Sequence, residues 1–571
     1  MTTVVPDRSG EGIGGAPLEA EDPRADLIWG TIPALVDDAA VRHAEVDALV
    51  DGDTRLTFAQ LALAVDEYAR GFVAAGTAPG DRVAVWAPNC AEWMVAALGA
   101  LRAGAVLVPL NTRFKGGEAA YILRASGASM LLTVRGFLGV DYPALLDGED
   151  VGDLRQIVLL RGESPQSAPN VPVQSLPAFL GAAASVDPAE SAARVAALEP
   201  DDVADLIFTS GTTGHPKGAA TSHAQSLRTF GTWASIVGLG RADRYLVVNP
   251  FFHTFGYKAG ILACLMAGAT VVPEAVFDTT AVMARIESER ISVLPGAPTL
   301  YQSLLADPHR ADHDLSSLRL GVTGAAVVPV ELVHAMSSEL GFSTVLTAYG
   351  LTESCGTVTM CRRSDPPEII AGTSGRAIPG LEVAAVVDGQ PVPTGEPGEI
   401  VVRGYTVMPG YWKDEAATAA AIDDEGWLHT GDIGVLDRAG NVTITDRVKD
   451  MFVVGGFNAY PAEIEAMWRG RDEVVQVAVV GVPDERMGEV GCAYVVVAPD
   501  HPALADQGVA DALGRDLLVW ARSAMANYKV PRGVVIVDAL PVNASGKVLK
   551  RELRERHAAG KDHVVTNERS N

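Results

Sequence analysis

The sequence predicts an α/β protein: a large helix-covered body, a small barrel-like β unit and a separate α+β unit behind them. Between residues 82 and 134, short apolar runs alternate with amphipathic stretches over short connections, the pattern of a parallel sheet covered by helices. From residue 375 to 444 the pattern changes to short β-type runs parted by Gly/Pro turns. Past a charged segment, Asp446-Arg-Val-Lys-Asp450, helix and strand signals resume over an ordinary domain length.

In chain order, residues 1–26 are rich in Gly, Pro, Glu and Asp and predict a poorly ordered extension. Residues 82–86, 104–109 and 130–134 read as buried strands, and 91–103 and 117–125 as helices. Residues 165–192 carry Pro, Ser and Ala without periodicity and predict a surface connection. Further strands are expected at 245–248, 269–273, 291–295, 318–322 and 345–349, with an apolar helix ending near 265. In the last unit, 461–468 and 513–525 read as helices and 474–480 and 493–497 as strands. Residues 561–571 read as a frayed tail.

A chain of 571 residues has room for roughly three or four domain units. Its formal net charge of −26 excludes a broad nucleic-acid or anionic-membrane surface, so a polyanion would need a local basic island. Cys90, Cys264, Cys355, Cys361 and Cys492 are scattered without metal-ligand spacing and read as reduced thiols. The uncharged run 259–272 is too short for a bilayer, and residues 1–15 lack the apolar core of a signal peptide. The expected location is cytoplasmic.

The densest chemical signal runs from Ile207 to Gly218. An apolar lead-in precedes Thr209, Ser210, Gly211, Thr212, Thr213, Gly214 and Lys217. Glycines let backbone N–H groups point inward together, hydroxyls add short donors, and Lys217 adds a point charge, so the loop can wrap a polyphosphate. A plain polar hairpin is the alternative. Gly218 follows Lys217, so this is not the common P-loop spacing.

Four weaker signals gain weight beside it. Tyr349-Gly-Leu-Thr-Glu353 ends an apolar strand, where Tyr349 could stack on a purine, Thr352 bond a phosphate and Glu353 hold Mg2+. Taken alone, these read as a core aromatic and a solvated carboxylate. Asp432 follows an aromatic segment and could accept both ribose hydroxyls, though a turn aspartate is the plainer reading. Lys547 sits in a Pro/Gly-bounded loop ahead of a basic helical stretch, where it could reach a neighbouring cleft. His253 stands between aromatics, which fits a packed histidine or the wall of an apolar acyl pocket.

Together, residues 209–218, 249–256, 349–353, 427–432, 445–450, 455–463 and 541–547 resemble the ordered motifs of the adenylate-forming enzymes, the superfamily of acyl-CoA synthetases and peptide-synthetase adenylation domains. The resemblance spans residues 30–555. The stretches 249–264, 345–350 and 450–461 are especially similar to actinobacterial acyl-CoA ligases of steroid breakdown, which activate an indane-dione propanoate.

The resemblance implies a large N-terminal domain of two helix-covered sheets plus a small β-barrel unit (27–446), a hinge (447–449) and a small mobile α+β cap (450–560). It implies ATP, Mg2+ and coenzyme A as reactants and a small carboxylic acid as partner, with a homo-oligomer left open. Residues 209–214 and Lys217 would hold phosphates; Gly324, Ala325, Ala326, Tyr349 and Gly350 would flank adenine. Thr352 and Glu353 would serve phosphate and metal, and Asp432 and Arg447 the ribose. The catalytic set would be Lys547, Glu353 and Thr209, with Lys449 at the hinge. His253, Phe255, Gly256 and Tyr257 would line the acyl pocket, and Gly455, Gly456 and Phe457 the coenzyme A path. Rival expectations are a medium-chain, long-chain or aryl acid, transfer to a carrier protein, or a nucleotide-binding module without turnover.

Overall fold

The computed structural model describes residues 20–162, 171–209, 216–324, 328–447, 450–454, 457–459, 461–484, 487–525, 527–543 and 548–566. The large body is built on two sheets. The first contains, in spatial order, Lys217–Ser222, Val203–Thr209, Val106–Pro109, Arg82–Trp86, Ala128–Phe137, Gln156–Arg161 and Val173–Ser175. All neighbours on this path are parallel except the Val203–Thr209/Lys217–Ser222 hairpin. Helix Ala91–Arg102 has ten buried residues and packs between strand and helix layers, which explains its nearly continuous apolar sequence.

The second sheet comes in two four-stranded halves, Arg244–Val247 with its neighbours and Leu320–Gly324 with its neighbours. The strand expected at 291–295 is instead a single-residue stitch. Val293 bridges Tyr245 on one side and Leu320 on the other, joining the halves. Pro295 follows at once, and a proline offers no N–H to extend the ladder.

The β unit is present, but its five strands form an open path, Gln390–Pro391, Leu381–Val387, Pro397–Gly404, Leu428–Leu436, Val442–Arg447, rather than a closed barrel. Val358, Ala385, Ile400, Val402 and Val442 form its small core. The C-terminal unit packs a six-stranded sheet against helices Pro461–Trp468 and Gln507–Ala524, around a core of its own running from Phe452 to Val565.

Three further expectations, on residues 20–26, 165–192 and the tail, differ from the structure. Within the predicted extension, residues 20–26 are tied down: Asp22 pairs with Arg228, Glu21 with Arg362, and Ala25 is fully buried. Its acidic residues meet arginines of the body, a pairing invisible to local composition. The supposed surface connection carries helices Leu176–Ala182 and Pro188–Ala197, whose Ala-rich runs have caps at Ser175 and Asp187. In the supposed tail, Val565–Thr566 adds a strand to the C-terminal sheet, and Asp562 pairs with Arg556. Residues 1–19 and 567–571 lie outside the described residues. All five cysteines are free and buried. Among the described residues, no helix is long and apolar enough to cross a membrane.

Candidate active site

The glycine-rich segment is closed at its neck by a hairpin, with Thr209 opposite Lys217. Ser210, Gly211, Thr212, Thr213 and Gly214 lie outside the described residues. At the neck, Thr209 Oγ1 donates to Glu353 Oε1 at 3.0 Å, and the Tyr411 hydroxyl donates to the same oxygen at 2.9 Å. Lys217 Nζ stands 5.2 Å from the Tyr411 ring centroid, within cation–π range. Burial, then the nearby Glu353 charge, pushes the Tyr411 phenol up, so it remains a donor at neutral pH. Directly after the hairpin, Ser222 and Gln225 form a capping box that starts helix His223–Val237.

Glu353 reaches this point from the turn Thr352–Ser354, which follows strand Thr344–Tyr349. Thr352 is buried in that turn. At Gly350 a Cβ would sit 2.3 Å from the Gly356 carbonyl oxygen, so only glycine allows this fold-back. Leu320–Gly324 runs parallel to Thr344–Tyr349, with Gly324 beside Ala348. Both carboxyl ends therefore open on one side, where open α/β sheets bind ligands. Ala325 and Ala326 lie outside the described residues.

The Tyr349 hydroxyl donates to Asp432 Oδ2 at 2.6 Å. The turn expected at Asp432 is instead the interior of strand Leu428–Leu436, where this carboxylate is 3% exposed. Its backbone lies opposite Arg447 in the antiparallel register, while the Arg447 side chain is outside the described residues.

The acid side divides differently from the expectation. His253 caps the short helix Thr254–Gly256, its Nδ1 accepting from Phe255 N at 3.2 Å. That acceptor role leaves Nε2 carrying the proton of the neutral ring. The ring is exposed, yet desolvation lowers its pKa. Phe255 is half-buried beside it, and Gly256 is packed so closely that a Cβ would lie 2.1 Å from Pro250 O. Tyr257 is fully buried, 5.9 Å from the Trp93 ring, because the helix turns it inward toward the core.

Lys547, Lys449, Gly455 and Gly456 lie outside the described residues, as does the Phe457 side chain. The frame around Lys547 is described. Val542 bridges Val548, Leu549 N donates to Pro541 O at 2.8 Å, and the Arg113 guanidinium donates to Asn543 O at 3.4 Å. The loop carrying Lys547 thus begins against the large body.

Among the described residues no three carboxylate, imidazole or thiolate groups converge on one point. Glu353 and Thr209 do supply hard oxygen donors side by side, the set that suits Mg2+ when phosphates complete its shell.

Tyr411 escaped the sequence reading, although it touches both Lys217 and Glu353. Its one signal is an aromatic pair, Tyr411-Trp412, after the turn at Pro409-Gly410. Asn89 also escaped. It donates to Val247 O and Asn249 O, each at 2.9 Å, and accepts from Phe251 N at 2.7 Å, pinning the chain that leads to His253.

Comparison with known proteins places these features in a family. Residues 36–412 match the AMP-binding enzyme model and residues 463–547 that of the AMP-binding enzyme C-terminal domain. The chain is similar to a methyl-dioxo-octahydro-indenyl-propanoyl:CoA ligase of Rhodococcus jostii, at 50% identity over 92% of this chain and 98% of that protein. It is 48% identical to the ligase of the same name from Mycobacterium tuberculosis, again over 92% of this chain and 98% of that one. Among solved structures, the anthranilate CoA ligase AuaEII with anthranoyl-AMP superposes with a TM-score of 0.80 at 27% identity, over 93% of this chain and 98% of that one.

Proposed function

Because the chain belongs to the AMP-binding enzyme family, we propose that it is an AMP-forming carboxylate–CoA ligase acting on a bulky, alicyclic, steroid-derived propanoate. The observation that carries the reading is the convergence of Thr209, Tyr411 and Glu353 at the neck of the glycine-rich hairpin. Identity of 50% and 48%, over 92% of this chain, with ligases named for an indenyl propanoate supports the acid class. The free, buried thiols suit a cytoplasmic enzyme.

In the first step a carboxylate oxygen of the acid attacks the α-phosphorus of ATP, and the bond to pyrophosphate breaks. No general base is required, because the acid is already ionised. Residues 209–217 cradle the phosphates, Tyr349 and residues 324–326 flank the adenine, and Asp432 accepts from the ribose hydroxyls. Mg2+, when held at Glu353, neutralises phosphate charge. Lys547 enters from the small unit to meet negative charge building on the phosphoryl oxygens. A lysine about 4 Å away contributes roughly 4 kcal/mol at an effective dielectric near 20, before desolvation.

In the second step the sulfur of coenzyme A attacks the acyl carbonyl, AMP leaves with the bonding pair, and the thiol proton passes to solvent. Lys547 rides on the small unit, so rotation about residues 447–449 withdraws it and lets Gly455 and Gly456 line the coenzyme A path.

The test mixes ATP, Mg2+ and coenzyme A with a panel of steroid-derived, fatty and aryl acids and measures pyrophosphate and AMP. Strongest turnover with a bicyclic propanoate supports the reading; AMP formation only with fatty or aryl acids overturns the acid class. Replacing coenzyme A by a holo carrier protein tests the acceptor.

A further inference from the structure

Beneath the hairpin lies a charge pair that no step above uses. Lys258 and Asp205 are both fully buried, with Nζ 3.0 Å from Oδ1. Thr221, opposite Asp205 in the hairpin register, adds a hydroxyl that stabilises the carboxylate beside the Lys258 ammonium. Burial pushes the Asp205 carboxyl up, and the Lys258 charge opposes that shift. Lys258 Nζ also lies 3.7 Å from Cys355 Sγ, which in turn is 4.0 Å from Ser226 Oγ.

Removing two charges from water costs several kcal/mol per ion, and apolar residues of equal volume often stabilise a fold as well or better. Packing stability is therefore a weak account of this pair. Its location is more informative. Asp205 lies on strand Val203–Thr209, four residues before the hydroxyl that meets Glu353. Lys258 lies in Tyr257–Leu262, directly after the His253 turn, in a stretch wound with the wider π-helical turn. Such wide turns are short inserts that often sit at functional sites. Cys355, in the left-handed region at φ 57°, ends the turn that carries Glu353. One buried ammonium thus touches the strand, the helix and the turn that deliver Thr209, His253 and Glu353.

We propose that Lys258 and Asp205 are positioning residues for the adenylation step. Their pairing holds the acid-side helix in register with Thr209 and Glu353, so that a bound carboxylate meets the α-phosphorus in line. This inference rests on the ligase reading above. A displacement of about 1 Å between reacting groups is enough to cost on the order of 100-fold in rate.

The test is the paired variant Asp205→Asn with Lys258→Met, which removes both charges at nearly constant volume and leaves no buried ion unpaired. Expected is a melting temperature close to that of the unaltered chain, an unchanged KM for ATP, and a kcat for acid-dependent pyrophosphate release lowered at least tenfold. Thioester formation from preformed acyl-adenylate and coenzyme A falls less than threefold, because the acyl–phosphate bond already exists. Parental kcat in the paired variant, or equal loss in both half-reactions, overturns the proposal. Should the paired variant melt below assay temperature, Cys355→Ala removes the third contact with a smaller cavity. A threefold drop in adenylation with ATP KM unchanged then supports the coupling, and no drop overturns it. The unaltered chain is assayed alongside. If it releases no pyrophosphate with any acid, the ligase reading falls and takes this inference with it; if it turns over while the variants match it, the pairing alone is wrong.

Discussion

The residues proposed for the nucleotide and those proposed for the acid are held by different means. On the nucleotide side, polar groups hold one another across long sequence separations: Thr209 and Tyr411 on Glu353, Tyr349 on Asp432. On the acid side, the wall is shaped by packing, with Gly256 pressed against Pro250 O and Tyr257 turned into the core beside Trp93. A hydrogen-bonded wall fails when one partner is deleted, because the other is left unsatisfied. A packed wall fails by degrees, through volume. The two sides should therefore respond to substitution in kind as well as in size.

The largest effect is expected from the lysine proposed to meet the phosphoryl charge. Lys547→Ala should lower adenylation by roughly two to three decades, the rate equivalent of a charge contact worth about 4 kcal/mol before desolvation. The same variant should still convert preformed acyl-adenylate plus coenzyme A. Equal losses in the two half-reactions, measured by rapid quench, would remove Lys547 from its proposed role.

Next comes the nucleotide wall. Asp432→Ala deletes the acceptor of Tyr349 and, in the proposed complex, of the ribose. Lost charge-assisted hydrogen bonds of about 1.5–3 kcal/mol predict a kcat/KM for ATP lowered by roughly 10- to 100-fold. Acid preference should not change. A shift in acid preference without an ATP defect would break the division between the sides.

A smaller effect is expected at His253. His253→Ala should alter kcat/KM among acids by about tenfold, the scale of one hydrogen bond or a few buried methylenes, with the KM for ATP unchanged. A pure ATP defect would put His253 on the other side.

The smallest is expected where the sequence pointed to the pocket and the fold does not. The Tyr257 hydroxyl is buried without a hydrogen-bond partner among the described residues. Tyr257→Phe removes a polar group that gains nothing from its surroundings, so stability should stay within about 1 kcal/mol and tend upward. Acid preference should match the unaltered chain. A changed acid profile would place Tyr257 in the acyl pocket.

The residues proposed for the nucleotide side could be picked out beforehand because their signals are local. Hydroxyls, glycines and a lysine between Thr209 and Gly218, and the run from Tyr349 to Glu353, state their chemistry within a few residues. Tyr411 was not legible, since an aromatic after a Gly/Pro turn looks the same whether it packs or donates. Asp432 was read as a turn residue because its flanking glycine suggests one, while the antiparallel register with Val442–Arg447 makes it a strand. Residues 20–26 looked disordered by composition, yet their acids find Arg228 and Arg362 more than two hundred positions away.

By itself, then, the amino-acid order determined which segments alternate as strands and helices and which short runs can grip a phosphate. Spacing and local chemistry suffice for that. Only the folded chain decided that Tyr349 meets Asp432, that Lys258 is sealed against Asp205, and that His253 is exposed while Tyr257 is buried. Periodicity tells which face of an element is apolar, but the partner across that face depends on sheet order, register and helix winding, which arise from packing of the whole body.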